Sequence, residues 1–154
     1  MHSRIFQVSM NPIEKYDYIR ESDYYDHWFT NEIADYVNGD TDRESDIEWL
    51  QEYSNAFDFG ADDDGIYFIV KDKAEYFKPS FKRFQEAINT INNYTFEDFV
   101  DGFYGAMYQL KDAYEDKFGF YINADGETMS LDSFVRRCVT GEKYYIGATI
   151  DYHF

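Results

Sequence analysis

The residues Asp58 to Val70, DFGADDDGIYFIV, carry the clearest structural signal in this chain. Three aspartates, Asp62 to Asp64, precede Gly65 and a run of aromatic and β-branched residues. An Asp-Gly pair in front of such a run is typical of a tight turn that leads into a strand. We therefore predict a turn at the aspartates and a central strand over 65–71 that continues weakly to 76. The aspartates could also bind a cation or a basic partner.

The calcium hypothesis fails on residue spacing. An EF-hand loop needs acids at positions 1, 3 and 5, glycine at position 6 and glutamate at position 12. With Gly65 at position 6, position 1 is Gly60 and position 12 is Lys71. A second candidate loop around Gly126 has Tyr121 at position 1. Both segments are therefore interpreted as ordinary Asp-Gly turns.

Length and composition predict one folded domain. A chain of 154 residues buries about two thirds of the surface that it exposes when unfolded. Sixteen Tyr, fifteen Phe and two Trp make 21% of the residues aromatic, whereas disordered acidic chains are poor in aromatic residues. We expect a core rich in Phe and Tyr.

The net charge is −17, from 31 acids and 14 bases, well beyond the magnitude of roughly 2–8 that suits a small domain. Residues 1–64 hold 17 acids and 4 bases, and residues 65–154 hold 14 acids and 10 bases. This charge argues against direct binding to nucleic acid or to an anionic membrane, because both attract basic surfaces. It favours a basic partner.

Cysteine content and hydropathy suggest a cytoplasmic protein. Cys138 is the single cysteine, so no disulfide can form within the chain. No apolar run approaches the ~20 residues of a membrane span, and the first residues lack the apolar region of a signal peptide.

The spacing of apolar residues predicts an α+β fold in a single domain over 1–154. We expect a mostly antiparallel sheet of about four strands packed with four to five helices. Helix caps are expected at Ser22, at Asp42 or Ser45, and at a capping box formed by Thr95 and Asp98. The predicted elements are, in chain order, strand 4–10, helix 22–37, helix 44–57, strand 65–71, helix 79–92, helix 95–116, strand 118–123, helix 130–138 and strand 144–154.

No catalytic motif stands out, so we predict neither an enzyme nor a cofactor. Cys138 would need a nearby base to act as a nucleophile, and no histidine is close to it in the sequence. A buried thiol is the favoured interpretation. Paired carboxylates of the glycosidase type gain no support, because with 31 acids any pair is unremarkable.

Two further clusters have a functional and an ordinary interpretation. His27 with Asp23 and Asp26 has the helical spacing of a metal site, but a helix N-terminus with a solvated histidine is favoured. A basic cluster interleaved with aromatic residues suggests a nucleic-acid patch. Given the net charge, we favour pairing with the protein's own acids or a solvated face. The cluster comprises Lys71, Lys73, Lys78, Lys82 and Arg83.

The acids of residues 22–64 are predicted to form an acidic face that binds a partner. Helical neighbours three or four residues apart lie about 5–6 Å from each other, close to the charge spacing along a nucleic-acid backbone. Two capped helices and an aspartate-rich turn would therefore imitate a row of phosphates. The predicted contact residues are Asp23, Asp26, Glu32, Asp35, Asp40, Asp42, Glu44, Asp46, Glu48, Glu52, Asp58, Asp62, Asp63 and Asp64.

The matching function is DNA mimicry, in which the protein blocks the nucleic-acid cleft of a basic protein. In composition and size the chain resembles the DNA-mimic inhibitors of mobile elements, such as antirestriction proteins and some anti-CRISPR proteins. The resemblance implies a nucleic-acid-binding enzyme or effector as the partner. Two alternatives stay open. One is an interaction or structural protein with another kind of partner, and the other is a small-ligand-binding protein or carboxylate-based enzyme.

Overall fold

A mixed sheet of seven strands forms the centre of the protein in the computed structural model, which describes residues 1–154. The strands are β1 (His2–Ser9), β2 (Tyr36–Asn38), β3 (Phe57–Asp62), β4 (Gly65–Val70), β5 (Tyr121–Ala124), β6 (Glu127–Ser130) and β7 (Lys143–His153). They lie in the order β3-β4-β7-β1-β5-β6, and β2 also pairs with β7. Only β1 and β5 run parallel.

The chain also forms six α-helices. They are α1 (Trp28–Glu32), α2 (Arg43–Tyr53), α3 (Lys73–Asn92), α4 (Phe96–Asp101), α5 (Tyr104–Tyr114) and α6 (Leu131–Arg137). Two 3₁₀ turns lie at Lys15–Asp17 and Glu21–Tyr24. None of the helices combines the length and apolar character that crossing a membrane requires. The chain is thus a single α+β fold.

A β-bulge in the middle of β7 reverses which side chains face each side of the sheet. Phe6 pairs with Thr149 and Val8 with Ile146, so two residues of β1 span three of β7. The extra residue changes the alternation of side chains along β7. The side chain of Gln7 fills the bulge, where its Oε1 accepts the Ala148 amide at 3.1 Å.

The two faces of the sheet carry separate cores. Neighbouring residues of a strand point to opposite faces, and Phe6 belongs to the larger core whereas Ile5 belongs to the smaller one. Residues of α2, the start of α3 and α6 cover the larger core. Tyr24 and Phe29, from the 3₁₀ turn and α1, cover the smaller core. Both cores are rich in aromatic residues, as predicted.

The outer edge of β7 pairs with β4 near Lys143 and with β2 near His153. Between these two strands, the backbone carbonyls of β7 accept hydrogen bonds from a side chain instead of from a neighbouring strand. Arg43 donates from Nε to the Gly147 carbonyl at 2.6 Å and from Nη2 to the Ile146 carbonyl at 2.7 Å. The start of α2 is therefore fixed to the bulge in β7.

Helices α3 to α5 form an arm, residues 73–114, in which α3 and α5 pack chiefly against each other. Tyr76 at its base is buried in the larger core, and Phe77 packs against that core. Pro79 lies within α3, where it leaves the Glu75 carbonyl without its helical donor.

The predicted helix over 22–37 is wrong. The segment forms a 3₁₀ turn, α1 and β2 instead. Asp26 has a φ of 59°, which is incompatible with a right-handed helix. Tyr36–Asn38 pairs with Asp151–His153 of β7, so tertiary hydrogen bonds override the helical spacing. The cap of α1 is His27, whose Nδ1 accepts the Phe29 amide at 3.2 Å.

Three further helix boundaries differ from the prediction. Helix α2 ends at Tyr53 because the following residues pair in β3. Helix α3 begins at Lys73, ahead of the predicted 79, because Asp72 accepts the Ala74 amide at 2.8 Å. The predicted helix over 95–116 is divided between α4 and α5 at Gly102, whose φ of 90° ends the first of them.

The strand count of about four is corrected to seven, because β2, β3 and β6 were not predicted. The helix count of four to five becomes six. The strand from Gly65 is confirmed and lies between β3 and β7, but its predicted continuation to 76 is wrong, because the strand ends at Val70 and α3 begins at Lys73. The capping box of Thr95 and Asp98 is confirmed, as is the Asp125-Gly126 turn, which joins β5 to β6.

Replacing Gly147 by alanine is expected to lower the free energy of unfolding by about 2 kcal/mol. A Cβ at this position would lie 2.9 Å from the Gln7 Cδ, and moving that amide would break its hydrogen bonds to the backbone. Urea denaturation measures the change.

Gly105→Ala is the matched control. Gly105 lies in α5 with no atom within 4 Å of an added Cβ, so alanine there should stabilise the protein by up to about 1 kcal/mol. Equal effects of the two substitutions would contradict the role assigned to the bulge.

Candidate functional site

One of the predicted contact acids lies inside the protein. Asp46 is 3% exposed; its Oδ1 accepts from Arg4 Nε at 2.6 Å and its Oδ2 from the Thr149 hydroxyl at 2.7 Å. Arg4 also bonds to Asp151. Asp46 therefore joins α2 to β1 and β7 and has almost no surface for a partner.

The other acids lie on both sides of the sheet. Asp23, Asp26 and Glu32 belong to the segments that cover the smaller core, and Asp35 follows them. Glu44, Glu48 and Glu52 belong to α2, which covers the larger core. Asp40 and Asp42 lie in the connection between the two groups. The sheet thus separates acids that the sequence analysis placed on one face.

Several exposed acids already have partners within the protein. Asp23 accepts the Arg20 amide at 2.8 Å, and Asp35 lies 3.1 Å from His153. Asp58 pairs with Lys71 at 3.1 Å. These carboxylates are held by local contacts.

Asp42 and Asp62 have pKa values below the usual range for aspartate. Hydrogen bonds from the backbone and side chain of Ser45 lower the pKa of Asp42, the N-cap of α2. A hydrogen bond from Lys143 at 2.9 Å, assisted by the Tyr145 hydroxyl, lowers the pKa of Asp62. Both groups stay ionised under mildly acidic conditions.

Five carboxylates remain exposed without an ion pair in α2 and the β3–β4 turn. We call them the acidic ridge: Glu44, Glu48, Glu52, Asp63 and Asp64. The turn predicted at the aspartates is confirmed, and the structure shows it to be a two-residue loop, since Asp62 pairs with Gly65.

A groove of about 470 Å³ lies between α2 and the β3–β4 hairpin. Glu44 and Glu48 line its α2 side, and Phe59 and Ile66 line its hairpin side. Gly60 also lines it, and the ring of Tyr67 lies so close to Gly60 that a Cβ would overlap the phenol. The groove therefore has apolar walls beside two carboxylates.

The end of the arm exposes a group of large apolar side chains. Phe96 is 82% exposed and Tyr104 is 88% exposed. Phe99 and Val100 are also exposed. These four residues define the arm tip. The sequence contains no base from residue 84 to residue 110, but the tip carries Glu97, Asp98 and Asp101.

A larger cleft, of about 710 Å³, lies at the opposite edge of the sheet. Residues of α1, the arm and the β5–β6 hairpin line it, Trp28, Phe84 and Met129 among them. Sequence analysis missed this cleft because its walls come from several segments of the chain, spread from Trp28 to Arg137.

The remaining sequence candidates have structural contacts. Cys138 is buried, as predicted, and burial raises the pKa of its thiol. No group of three or more His, Cys, Asp or Glu side chains is arranged to hold a metal ion. In the basic cluster, Lys71 and Arg83 pair with Asp58 and Asp112.

Comparison with protein-family models, with curated proteins and with solved structures gave no significant match.

Asp46→Ala is expected to lower the free energy of unfolding by about 3 kcal/mol, because it removes one partner of a buried ion pair. Glu48→Ala, on the exposed side of the same helix, should change it by less than about 0.5 kcal/mol. Urea denaturation of both variants measures the two changes in the free energy of unfolding. Equal losses would contradict the distinction between the buried acid and the ridge.

Asp62→Asn is expected to destabilise the protein at neutral pH and much less in acid. A lowered pKa in the folded state contributes stability above the unfolded pKa of about 3.9, and that contribution is lost as the pH falls through the folded value. Unfolding of wild type and variant should therefore converge as the pH falls below about 4. A constant difference at every pH would exclude the ion pair with Lys143 as its cause.

Proposed function

We propose that this protein is an acidic protein-interaction module that binds a basic partner through the acidic ridge. In its finer form, the proposal is that the ridge imitates nucleic-acid phosphates and inhibits a nucleic-acid-binding protein. The observation that carries the proposal is the exposure of five carboxylates without an ion pair in α2 and the adjoining turn.

The spacing along α2 supports this proposal. Glu44, Glu48 and Glu52 follow each other at four-residue intervals, so they lie on one side of the helix over about 12 Å of its axis. Like charges at this spacing destabilise a helix by about 0.2–0.5 kcal/mol per pair. None of these three glutamates forms an ion pair within the protein. A basic partner would reduce the repulsion between them.

The groove beside the ridge fits the side chain of a lysine or arginine. These residues combine an apolar stem with a charged head. Phe59 and Ile66 would contact the stem, and Glu44 and Glu48 would bind the head. A protein that recognises phosphates exposes many such side chains.

The net charge of −17 would accelerate the encounter with a basic partner. Electrostatic steering raises association rates and falls steeply with ionic strength. The predicted complex therefore forms quickly at low salt and weakens as salt is added.

The arm tip favours a second candidate, an interaction protein that binds a partner through an apolar surface. Exposed apolar groups of this kind mark protein-interaction sites. Because Glu97, Asp98 and Asp101 lie in the same short helix as Phe96 and Phe99, the partner would present an apolar surface bordered by bases. Two copies of this chain would bring these acids together, which disfavours a dimer through the tip.

Inhibition of purified restriction endonucleases and RNA-guided nucleases tests the proposed function. The expected result is inhibition that added salt and competing duplex DNA relieve. The variant E44Q/E48Q/E52Q should weaken inhibition by about tenfold or more, since several charge contacts are lost. Cleavage assays and titration of the complex measure the effect.

The control variant E14Q/E86Q/E142Q removes the same number of exposed charges away from the ridge. It should inhibit like the wild type. An equal loss in both variants would show that only net charge matters and would contradict the ridge. Binding that survives in the ridge variant but is lost in F96S/F99S would favour the arm tip.

A further inference from the structure

The cleft at the β6 edge of the sheet has the size of a small-molecule site. Its volume of about 710 Å³ lies within the roughly 300–1,000 Å³ of ligand pockets. It is bounded by α1 on one side and by α3 and α5 of the arm on the other. The cleft shares no residue with the acidic ridge, which lies near the β3 edge.

The apolar part of the lining is largely aromatic. Trp28, Phe84 and Tyr114 come from three different helices, and Met129 comes from β6. Aromatic rings offer large apolar surfaces, and methionine adapts its shape to an apolar group. The cleft therefore suits an apolar molecular body.

The charged part of the lining is basic, in contrast to the protein as a whole. Lys111, Lys117 and Arg137 line the cleft together with Glu115 and Glu127. Arg137 pairs with Glu127 at 3.0 Å, so these two charges offset each other. The net charge of the lining is +1 in a chain whose net charge is −17.

Lys111 and Lys117 are the two cations of this lining that lack an ion pair. Neither forms an ion pair, although the chain has 31 acids. Lys117 Nζ lies 5.0 Å from the centre of the Phe118 ring, a contact that leaves its charge without a counterion. The one acid without a cation, Glu115, accepts a hydrogen bond from the Ser130 hydroxyl. The unpaired charges of the lining therefore sum to +1, which favours an anionic ligand.

From this arrangement we propose that the cleft binds a small apolar molecule that carries one carboxylate. The carboxylate contacts Lys111 and Lys117, and the apolar body lies between Trp28, Tyr114 and Phe84. The ligand would therefore contact both the arm and the rest of the protein. Without a ligand, the arm contacts the rest of the protein mainly at its base. This site is independent of the proposed ridge, so either can fail without the other.

Isothermal titration calorimetry with naphthylacetate, naphthylacetamide and decanoate tests the proposal. The amide has the same shape as the aromatic acid without its charge, and decanoate carries the carboxylate on an alkyl chain. The aromatic acid is expected to bind about tenfold more tightly than the amide. The comparison with decanoate tells whether the aromatic or the alkyl acid is preferred.

The variant K111Q/K117Q should lower the affinity for naphthylacetate about tenfold and leave that for the amide unchanged. K78Q/K82Q removes two exposed lysines of α3 outside the cleft and should bind like the wild type. The variant F96S/F99S should also bind naphthylacetate like the wild type. That result would exclude binding at the arm tip. Equal affinities for acid and amide, an unaffected K111Q/K117Q variant, or no binding of any probe would each overturn the proposal.

Discussion

The structure depends on the bulge in β7 and on the Gln7 side chain that fills it. The bulge changes the alternation of side chains in the longest strand, so Tyr144 and Ile146 enter one core and Ile150 and Tyr152 enter the other. A regular strand of this length would present all four residues to the same face. One strand therefore supplies apolar residues to both faces of the sheet, and each face is covered by its own helices.

The same bulge fixes the position of α2. Arg43 bonds to the carbonyls of β7 beside the bulge, and Thr149, just after it, donates to Asp46. Asp46 and Arg4 then complete a polar contact under the helix. Because the inward side of α2 is held in this way, Glu44, Glu48 and Glu52 are directed outward. The α2 part of the acidic ridge is therefore exposed because Arg43 and Asp46 hold the opposite side of the helix against the sheet.

Charge is distributed unevenly between the two edges of the sheet. The unpaired acids of α2 and the β3–β4 turn lie near the β3 edge, whereas two unpaired lysines line the cleft at the β6 edge. Elsewhere some acids bond to a backbone amide or to one of the protein's own bases, as Asp42 and Asp112 do, and others are exposed without an ion pair, as Glu14 and Glu86 are. The two edges therefore present opposite charges for binding, one suited to a basic protein and the other to an apolar anion.

The sequence by itself determined the elements whose signals are local. Alternating apolar residues identified β1, and a run of β-branched and aromatic residues identified β4. The side chains of Asp42 and Thr95 marked helix starts that the structure has. The aspartates before Gly65 marked the turn. Only the tertiary structure decided the segment over 22–37, because Tyr36–Asn38 bonds to a strand more than a hundred residues away. It also decided which acids are exposed: Asp46 and Glu48 are alike in sequence, and only packing under α2 makes one buried. The cleft has no signal in the sequence, since α1, the arm and the β5–β6 hairpin, which line it, are separate segments of the chain that only the fold brings together.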